Sequence, residues 1–226
     1  MFSKMKKSVL VVFVFCLVCL NYIHAQVSDI DGNVYKTVVV GEQTWMAENL
    51  KTTRYATGDT IPNVVNKEQW LNLTDGAWSY YKNEEKFNDV YGKLYNWHNV
   101  VDDRNVCPNG WHVPSDEEWK ILADFIINNG HEGKEGIALK SIQGWNNYDG
   151  LSGNGTDDFG FGALPGGNRN INGNFSHLGK NGYWWSTSEH ANPVNAWSRY
   201  LYSNNSNIMN YEDFKNYGFS IRCLQD

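Results

Sequence analysis

The chain of 226 residues carries a formal net charge of −6, and aromatic residues make up 15% of it, with Trp alone occurring 10 times. Nucleic acids and anionic membranes bind clustered Lys and Arg, so the acidic balance argues against both as partners. The length is enough for one well-buried core, and no stretch is typical of a linker between domains.

Residues 1–25 have the three parts of a secretory signal. Lys4, Lys6 and Lys7 form a basic start, residues 9–20 form an apolar stretch, and Ala25 supplies a small residue before a cleavage point. We therefore predict an exported chain whose mature part, residues 26–226, is a single domain without a membrane span. Losing three lysines and no acids changes its formal charge from −6 to −9. Lipid attachment at Cys19, or retention of the segment as an anchor, stays open.

Cleavage at this point would leave two cysteines, Cys107 and Cys223. In an oxidising compartment two cysteines most simply form one disulfide. A bond that joins the middle of the chain to its end also favours a single domain. Two free thiols are the alternative.

The start of the mature chain predicts a hairpin. Residues 27–30 and 34–40 are rich in strand formers and flank Asp31-Gly32, a dipeptide typical of tight turns. The stretch superficially resembles a calcium-binding loop, but its glycine lies at the wrong position and the closing glutamate is missing. Further on, residues 44–50 contain helix-compatible residues, and residues 77–81 predict a short buried strand.

Two segments predict helices. Residues 91–101 carry Leu94, Trp97, His98 and Val101 at spacings of three and four, which predicts a short amphipathic helix with His98 near its buried face.

The clearest helix signal lies in residues 110–130. Ser115 and Glu118 have the spacing of a capping box, and Gly130 supplies a stop. The acidic residues of the first turn thus have a structural explanation. The apolar face of this helix is formed by Trp119, Leu122, Ala123 and Ile126.

The second half of the chain predicts one long loop and several strands. Residues 144–182 are dominated by Gly, Asn and Asp, and their spaced apolar residues indicate a loop tied to the core. Strand-like segments follow at 183–186, 197–202 and 218–223. The whole pattern predicts a loop-rich α+β domain.

Trp184 and Trp185 raise a question about the use of aromatic residues. In a strand, adjacent side chains lie on opposite faces. Either this strand is buried on both faces, or one ring is exposed to bind a ligand such as a sugar. We expect at least one of the two in the core.

Several ordered blocks from residue 28 to the last residue resemble a known family. The blocks are DIDGNVYKTVVVGEQTWMAENLKTTRY, YGKLYNWHNV, CPNGWHVPSDEEW, FGFGALPGGNRN, NGYWWSTSE and GFSIRC. Together they resemble the Fibrobacter succinogenes major paralogous domain, which is found in exported bacterial surface proteins. The resemblance implies a secreted, periplasmic or cell-surface location, and it brings no established activity with it.

The same blocks are similar to the C-type-lectin-like superfamily, particularly to its formylglycine-generating enzymes. WHVPSDEEWK resembles the strand and helix opening of that branch, and GFSIRC resembles its closing motif. The resemblance implies a C-type-lectin-like α+β fold with short antiparallel strands, two main helices and long Gly/Asn-rich loops. It also implies that the two chain ends lie together.

An enzymatic function has little support in the sequence. Formylglycine-generating enzymes use a cysteine pair ahead of their closing motif, whereas residues 196–220 contain no cysteine. No metal-binding histidine spacing, nucleophile elbow or phosphate loop occurs. An acid and base site that uses Glu189 and His190 together with residues brought near them by folding stays open as an alternative.

A calcium-dependent lectin site is also poorly supported. The turn Asn192-Pro193-Val194-Asn195 offers no ligand at Val194, and Trp197 is followed by Ser198-Arg199. A calcium site that uses Asp157 and Asp158 stays open, and no other cofactor is predicted.

The sequence favours a non-catalytic recognition or surface-assembly domain that binds a carbohydrate or a surface protein. We expect ligand contacts from the turn 189–195 and the loop 150–180, displayed on a disulfide-linked core. An enzyme of unknown reaction and a purely structural surface component are the alternatives. The candidate ligand-binding residues are Asp157, Asp158, Asn168, Arg169, Glu189, Asn192, Asn195 and Trp197.

Overall fold

The structure is a computed structural model that describes residues 26–226, so the predicted signal segment lies outside the described residues. The strands are β1 (Gln26–Ser28), β2 (Val34–Val40), β3 (Gln43–Met46), β4 (Trp78–Ser79), β5 (Leu94–Tyr95), β6 (Trp111–His112), β7 (Asn168–Arg169), β8 (Phe175–Ser176), β9 (Asn181–Glu189), β10 (Asn195–Tyr202), β11 (Met209–Phe214) and β12 (Leu224–Gln225). The α-helices are α1 (Lys67–Leu71), α2 (Asn88–Tyr91), α3 (Asp116–Ile126) and α4 (Glu135–Leu139). Helices and antiparallel strands are thus mixed along the chain, as the α+β prediction requires.

The predicted N-terminal hairpin is present. β1 and β2 pair antiparallel, and the Asp29 carboxylate closes the turn by accepting hydrogen bonds from the backbone N–H groups of Asp31 and Asn33. The five-stranded sheet has the order β1-β2-β3-β12-β6. Because β12 pairs with both β3 and β6, the first and last strands of the described chain share one sheet.

A second sheet, with the order β11-β10-β9, contains the adjacent tryptophans. Trp184 and Trp185 are 1% and 0% exposed, and their side chains enter two different apolar clusters on opposite faces of β9. The Trp184 indole N–H donates to Asn49 Oδ1, and that of Trp185 donates to the Tyr95 carbonyl. The expectation of at least one core tryptophan is confirmed, and β9 is buried on both faces.

Helix α3 follows its sequence signals closely. The Ser115 hydroxyl accepts from the Glu118 backbone N–H, and the Glu118 carboxylate accepts from the Ser115 backbone N–H, which completes the capping box. Trp119, Leu122 and Ile126 are buried. The chain then turns at Gly130, whose φ of 91° is open to glycine.

The predicted helix at residues 91–101 is wrong. α2 ends at Tyr91, and the next residue, Gly92, has a φ of 71°. Gly92 also lies so close to the Leu50 carbonyl oxygen that a Cβ atom at this position would be 2.7 Å from it. Residues 94–95 then form β5, and only a short 3-10 turn follows at Trp97–Asn99. Pairing of Tyr95 with Trp78 and Phe219 outweighs the local helical periodicity.

Two further segments differ from the sequence pattern. Residues 44–46 of the helix-compatible stretch 44–50 belong to β3, because β3 pairs with β2. Residues 218–223 do not form one strand, since Gly218, Phe219 and Ser220 make single bridges to three different segments. The regular strand β12 begins only at Leu224.

The long loop 144–182 is tied to the core, as its apolar residues indicate. Phe161 is 1% exposed and contacts Trp45 and Trp119 edge-on. The buried Arg222 guanidinium donates to the Phe161 carbonyl and to Asn49 Oδ1. The same loop contains the small β7–β8 hairpin.

Cys107 and Cys223 form the expected disulfide across a sequence separation of 116 residues, and both are buried.

Within residues 26–226, the helices are too short or too polar to cross a membrane.

We predict that the double variant Cys107→Ala/Cys223→Ala loses about 2 to 5 kcal/mol of unfolding free energy, because the bond restricts a long loop in the unfolded chain. Urea denaturation of the oxidised protein and the variant measures this difference. A loss below about 1 kcal/mol would show that the bond contributes little to stability.

His112 links α3 to Asp226, and its two carboxylate contacts make the stability of the fold depend on pH. Its Nδ1 lies 2.6 Å from Asp226 Oδ1, and its Nε2 lies 2.9 Å from Glu118 Oε1. Burial lowers the pKa of His112, but the hydrogen bonds to Asp226 and Glu118 outweigh burial and raise the pKa above its ordinary value. The protonated form is therefore favoured by folding, and its stabilisation is full below about pH 6.5 and lost as pH rises through the folded pKa.

The variant His112→Gln should consequently be less stable than the original protein at acidic pH, with a smaller difference at alkaline pH. Urea denaturation of both proteins across this range tests the trend. A stability difference that grows with rising pH would contradict it.

Candidate ligand-binding cleft

The turn between β9 and β10 is fixed by its own polar residues. The Asn192 carbonyl accepts from the Asn195 N–H, and the Asn192 side-chain oxygen accepts from the Val194 N–H. The Val194 carbonyl accepts a hydrogen bond from the Lys215 N–H, which joins the turn to the chain that follows β11. Pro193 and Val194 are held at the surface by these contacts, and the Val194 side chain is 51% exposed.

An apolar cleft of about 390 Å³ opens beside this turn. Its apolar residues come from α1, from the β7–β8 turn, from the β9–β10 turn and from the end of β11. Phe214 and Leu71 are 46% and 45% exposed, although apolar groups of this size are usually buried. The cleft is lined by Leu71, His98, Ile171, Pro193, Val194, Phe214, Lys215 and Asn216.

The polar residues of the apolar cleft hold its walls together. The Asn216 side-chain amide donates to the Leu71 and Leu73 carbonyls, so its Oδ1 is left as an acceptor. His98 Nε2 lies 3.2 Å from this oxygen and must carry the proton. The Asn216 backbone carbonyl also accepts from the Trp70 indole, which fixes α1 against the chain after β11.

The positive charge of Lys215, the one lysine among the described residues of the lining, is neutralised by Glu189 at the edge of the cleft. Lys215 Nζ forms an ion pair with Glu189 and lies 4.5 Å from the centre of the Trp97 ring. The Lys215 side chain is 15% exposed, whereas that of Glu189 is 54% exposed. The cleft therefore presents an apolar surface without a strong net charge.

Four of the sequence-predicted residues belong to this region. Glu189, Asn192 and Asn195 lie in or beside the turn, and the Asn195 Oδ1 atom is buried without a hydrogen-bond partner in the described part of the chain. Trp197 is half-buried and contacts the His190 ring edge-on at 5.0 Å. His190 in turn pairs with Glu212 at 2.7 Å. Glu189 and His190 thus have different partners rather than each other.

Asp157 and Asp158 lie elsewhere in the fold. Asp157 accepts from the Gly162 N–H, and burial raises the pKa of its carboxyl. Asp158 accepts from the Thr156 hydroxyl and lies 3.6 Å from His131. Across residues 26–226, no three His, Cys, Asp or Glu side chains form a group that could hold a metal ion.

Asn168 and Arg169 are buried within the protein. The Asn168 amide oxygen accepts from the Ser176 hydroxyl. The Arg169 guanidinium donates to the Val64 and Val65 carbonyls and lies 4.1 Å from the centre of the Trp70 ring. Both side chains hold neighbouring segments in place and do not reach the apolar cleft.

Sequence reasoning located the turn but not most of the cleft lining. Leu71 and Phe214 each end a short element, and Ile171 lies in the β7–β8 turn. The three residues are far apart in the chain, so no periodic pattern relates them. The sequence shows each of these residues only as an isolated apolar residue near a turn. Isolated apolar residues at the surface are common and mostly have no function, so this signal does not identify a cleft.

His98 should titrate below its ordinary range. Burial lowers its pKa, the hydrogen bond to Asn216 opposes this shift, and the charge of Lys215 adds to it. We predict an Nε2–H tautomer and an NMR titration midpoint below 6.5, the ordinary value. An Nδ1–H tautomer, or a midpoint above that value, would contradict the arrangement of Asn216.

No curated protein is significantly similar to this chain, and no solved structure matches it. The family model described as Fibrobacter succinogenes major domain matches residues 38–225, which include the three-stranded sheet, the disulfide and the apolar cleft, whereas β1 and the start of β2 precede the matched range. The chain belongs to the Fibrobacter succinogenes major domain family.

Proposed function

We propose that the protein is an exported, non-catalytic recognition or surface-assembly domain that binds an apolar side chain of a partner protein in the apolar cleft. The observation that carries this proposal is the joint exposure of Leu71, Val194 and Phe214 around a single concave surface. Burying one aliphatic side chain contributes about 1.5 to 3 kcal/mol, so such a cleft suits an anchor residue.

A protein ligand fits the cleft better than a carbohydrate. Sugar rings commonly stack on exposed aromatic faces, but nine of the tryptophans are buried and Trp197 is half-buried. Phe214 is the one Phe, Tyr or Trp among the described residues of the lining, and the other apolar residues of the lining are aliphatic. These groups favour an apolar ligand over a polyhydroxylated one.

The non-catalytic part of the proposal is supported by the pairing of the acidic and histidine residues. Glu189 is held by Lys215, His190 by Glu212, and His98 by Asn216. Each group has a structural partner, and Glu189 and His190, the acid and base considered from the sequence, pair with different residues.

Export is proposed from residues 1–25, whose basic start and apolar stretch are typical of a secretory signal. The buried disulfide supports an oxidising compartment, since such bonds are rare in the cytosol. Both observations support the proposal of a secreted, periplasmic or cell-surface location.

A C-type-lectin-like fold is proposed for the architecture. It is supported by the shared sheet of the first and last strands, by the long irregular region between α4 and β9, and by the disulfide next to β12. In folds of this kind a stable core displays loops, and the apolar cleft lies among such loops.

The experiment is selection of a displayed random-peptide library on the purified protein, followed by measurement of the affinity of synthetic copies. We expect peptides with an apolar anchor, and we expect Val194→Asp to weaken their binding about tenfold or more by placing a charge in the cleft. Val90→Asp is the matched control, because Val90 is 53% exposed on α2 outside the cleft.

Equal binding to both variants would refute the role of the cleft. Failure to obtain any saturable peptide would favour the purely structural component. A glycan that binds the original protein but not Val194→Asp would replace the protein ligand by a carbohydrate.

A further inference from the structure

A second concave surface lies at the opposite end of the β10–β11 hairpin. The apolar cleft adjoins the start of β10, whereas the chain 203–206 that follows Tyr202 lines two adjoining cavities of about 260 and 280 Å³. The two cavities share Tyr148, Ser203 and Asn204, and together they form what we name the Lys140 groove. An eight-residue strand spans roughly 26 Å, so the Lys140 groove is well separated from the apolar cleft.

Lys140 is an unusual group to find in the lining of a groove. It is 2% exposed, and its ammonium donates to the Tyr202 and Asn205 carbonyls at 3.1 and 3.2 Å. An ammonium has three N–H groups, and the third has no nitrogen or oxygen acceptor among residues 26–226, although the centre of the Trp145 ring lies 5.3 Å from Nζ. The described chain also supplies no carboxylate within ion-pair distance of it.

The electrostatics of Lys140 differ from those of the other buried lysine. Burial lowers the pKa of Lys140 to about 8, and no neighbouring acid opposes the shift. Burial also lowers the pKa of Lys93 to about 8, but there Asp31, Asp29 and Glu85 act in the opposite direction. An anion placed next to Lys140 would restore the stabilisation that burial removes.

The walls of the Lys140 groove are rich in uncommitted polar groups. The side chains of Asn204 and Ser203 make no hydrogen bond within the described residues, and the Asn154 amide uses only its oxygen. Such amides and hydroxyls suit the hydroxyl groups of a sugar. Tyr148 is 52% exposed beside them and offers a ring face for stacking.

The second cavity carries one charge of each sign. Lys180 and Asp149 both line it, and neither forms a salt bridge in the described chain. The net positive character of the groove therefore comes from Lys140, which lines the first cavity.

We propose that the Lys140 groove is a binding site for an acidic saccharide, in which the Lys140 ammonium binds a uronic-acid carboxylate and Tyr148 and Asn204 contact the sugar ring. This site is separate from the apolar cleft and takes a different class of ligand. Because the two surfaces share no lining residue, loss of one activity does not imply loss of the other.

The test is calorimetric titration of the purified protein with glucuronate and galacturonate, with glucose and acetate as reference ligands. A hydrogen bond to a charged group is stronger than one between neutral groups, so at least one uronate should bind about tenfold or more tightly than glucose. Lys140→Met keeps the aliphatic stem and should lose this preference. Tyr148→Ala should weaken uronate binding and leave the weak acetate binding unchanged.

Lys120→Met is the control, since Lys120 is exposed on α3 and pairs with Asp124. Thermal unfolding of every variant separates loss of binding from loss of folding. Should Lys140→Met fold poorly, NMR titration of the Lys140 ε-methylene signals in the original protein gives the answer, because a bound uronate must raise the pKa of that lysine. The proposal is overturned if glucose and the uronates bind with equal affinity, or if Lys140→Met binds the uronates as tightly as the original protein does. It is also overturned if the pKa of Lys140 does not change when a uronate is added.

Discussion

The fold depends on the segment 218–223, which is paired on several sides at once. Gly218, Phe219 and Ser220 bridge to Arg169, Tyr95 and Trp184, so three consecutive residues join three distant parts of the chain. The next residues continue this role, since the Ile221 and Cys223 carbonyls accept from Leu50 and Met46. A buried backbone polar group needs a partner, and here each partner belongs to a different element. The disulfide to Cys107 then fixes the segment covalently.

This constraint explains how so few aliphatic residues can support the fold. Strand β9 lies against the segment and is buried on both faces, with Trp185 and Phe219 in one cluster and Trp184 in the other. Large rings fill the space on each side, and their indole N–H groups bind buried oxygens of Asn49 and Tyr95. The aromatic residues of β9 and the segment 218–223 therefore build the interior.

The two concave surfaces follow from the same arrangement. The β10–β11 hairpin lies on the outer side of β9, so its two ends project towards different loops. At one end the turn with Val194 meets α1 and the β7–β8 turn, which gives an apolar lining. At the other end residues 203–206 meet the loop around Tyr148, which gives a polar lining with Lys140 at its base. The two ends of one hairpin thus carry concave surfaces with different linings, one apolar and one polar.

Local signals in the sequence determined the parts of the structure that depend on neighbouring residues. The Asp31-Gly32 turn, the Ser115–Glu118 capping box and the disulfide of two remaining cysteines were all predictable, as was the position of the turn beside the apolar cleft. The tertiary structure decided the rest. Leu94 and Tyr95 form a strand because they pair with Ser79 and Trp78, and Tyr95 also bridges to the distant Phe219. Both tryptophans of β9 are buried because segments lie on each face. It also brought Leu71 next to Phe214, and it left Lys140 buried without a carboxylate. Contacts between residues more than a hundred positions apart leave no periodic trace in the chain, so only the folded structure could show them.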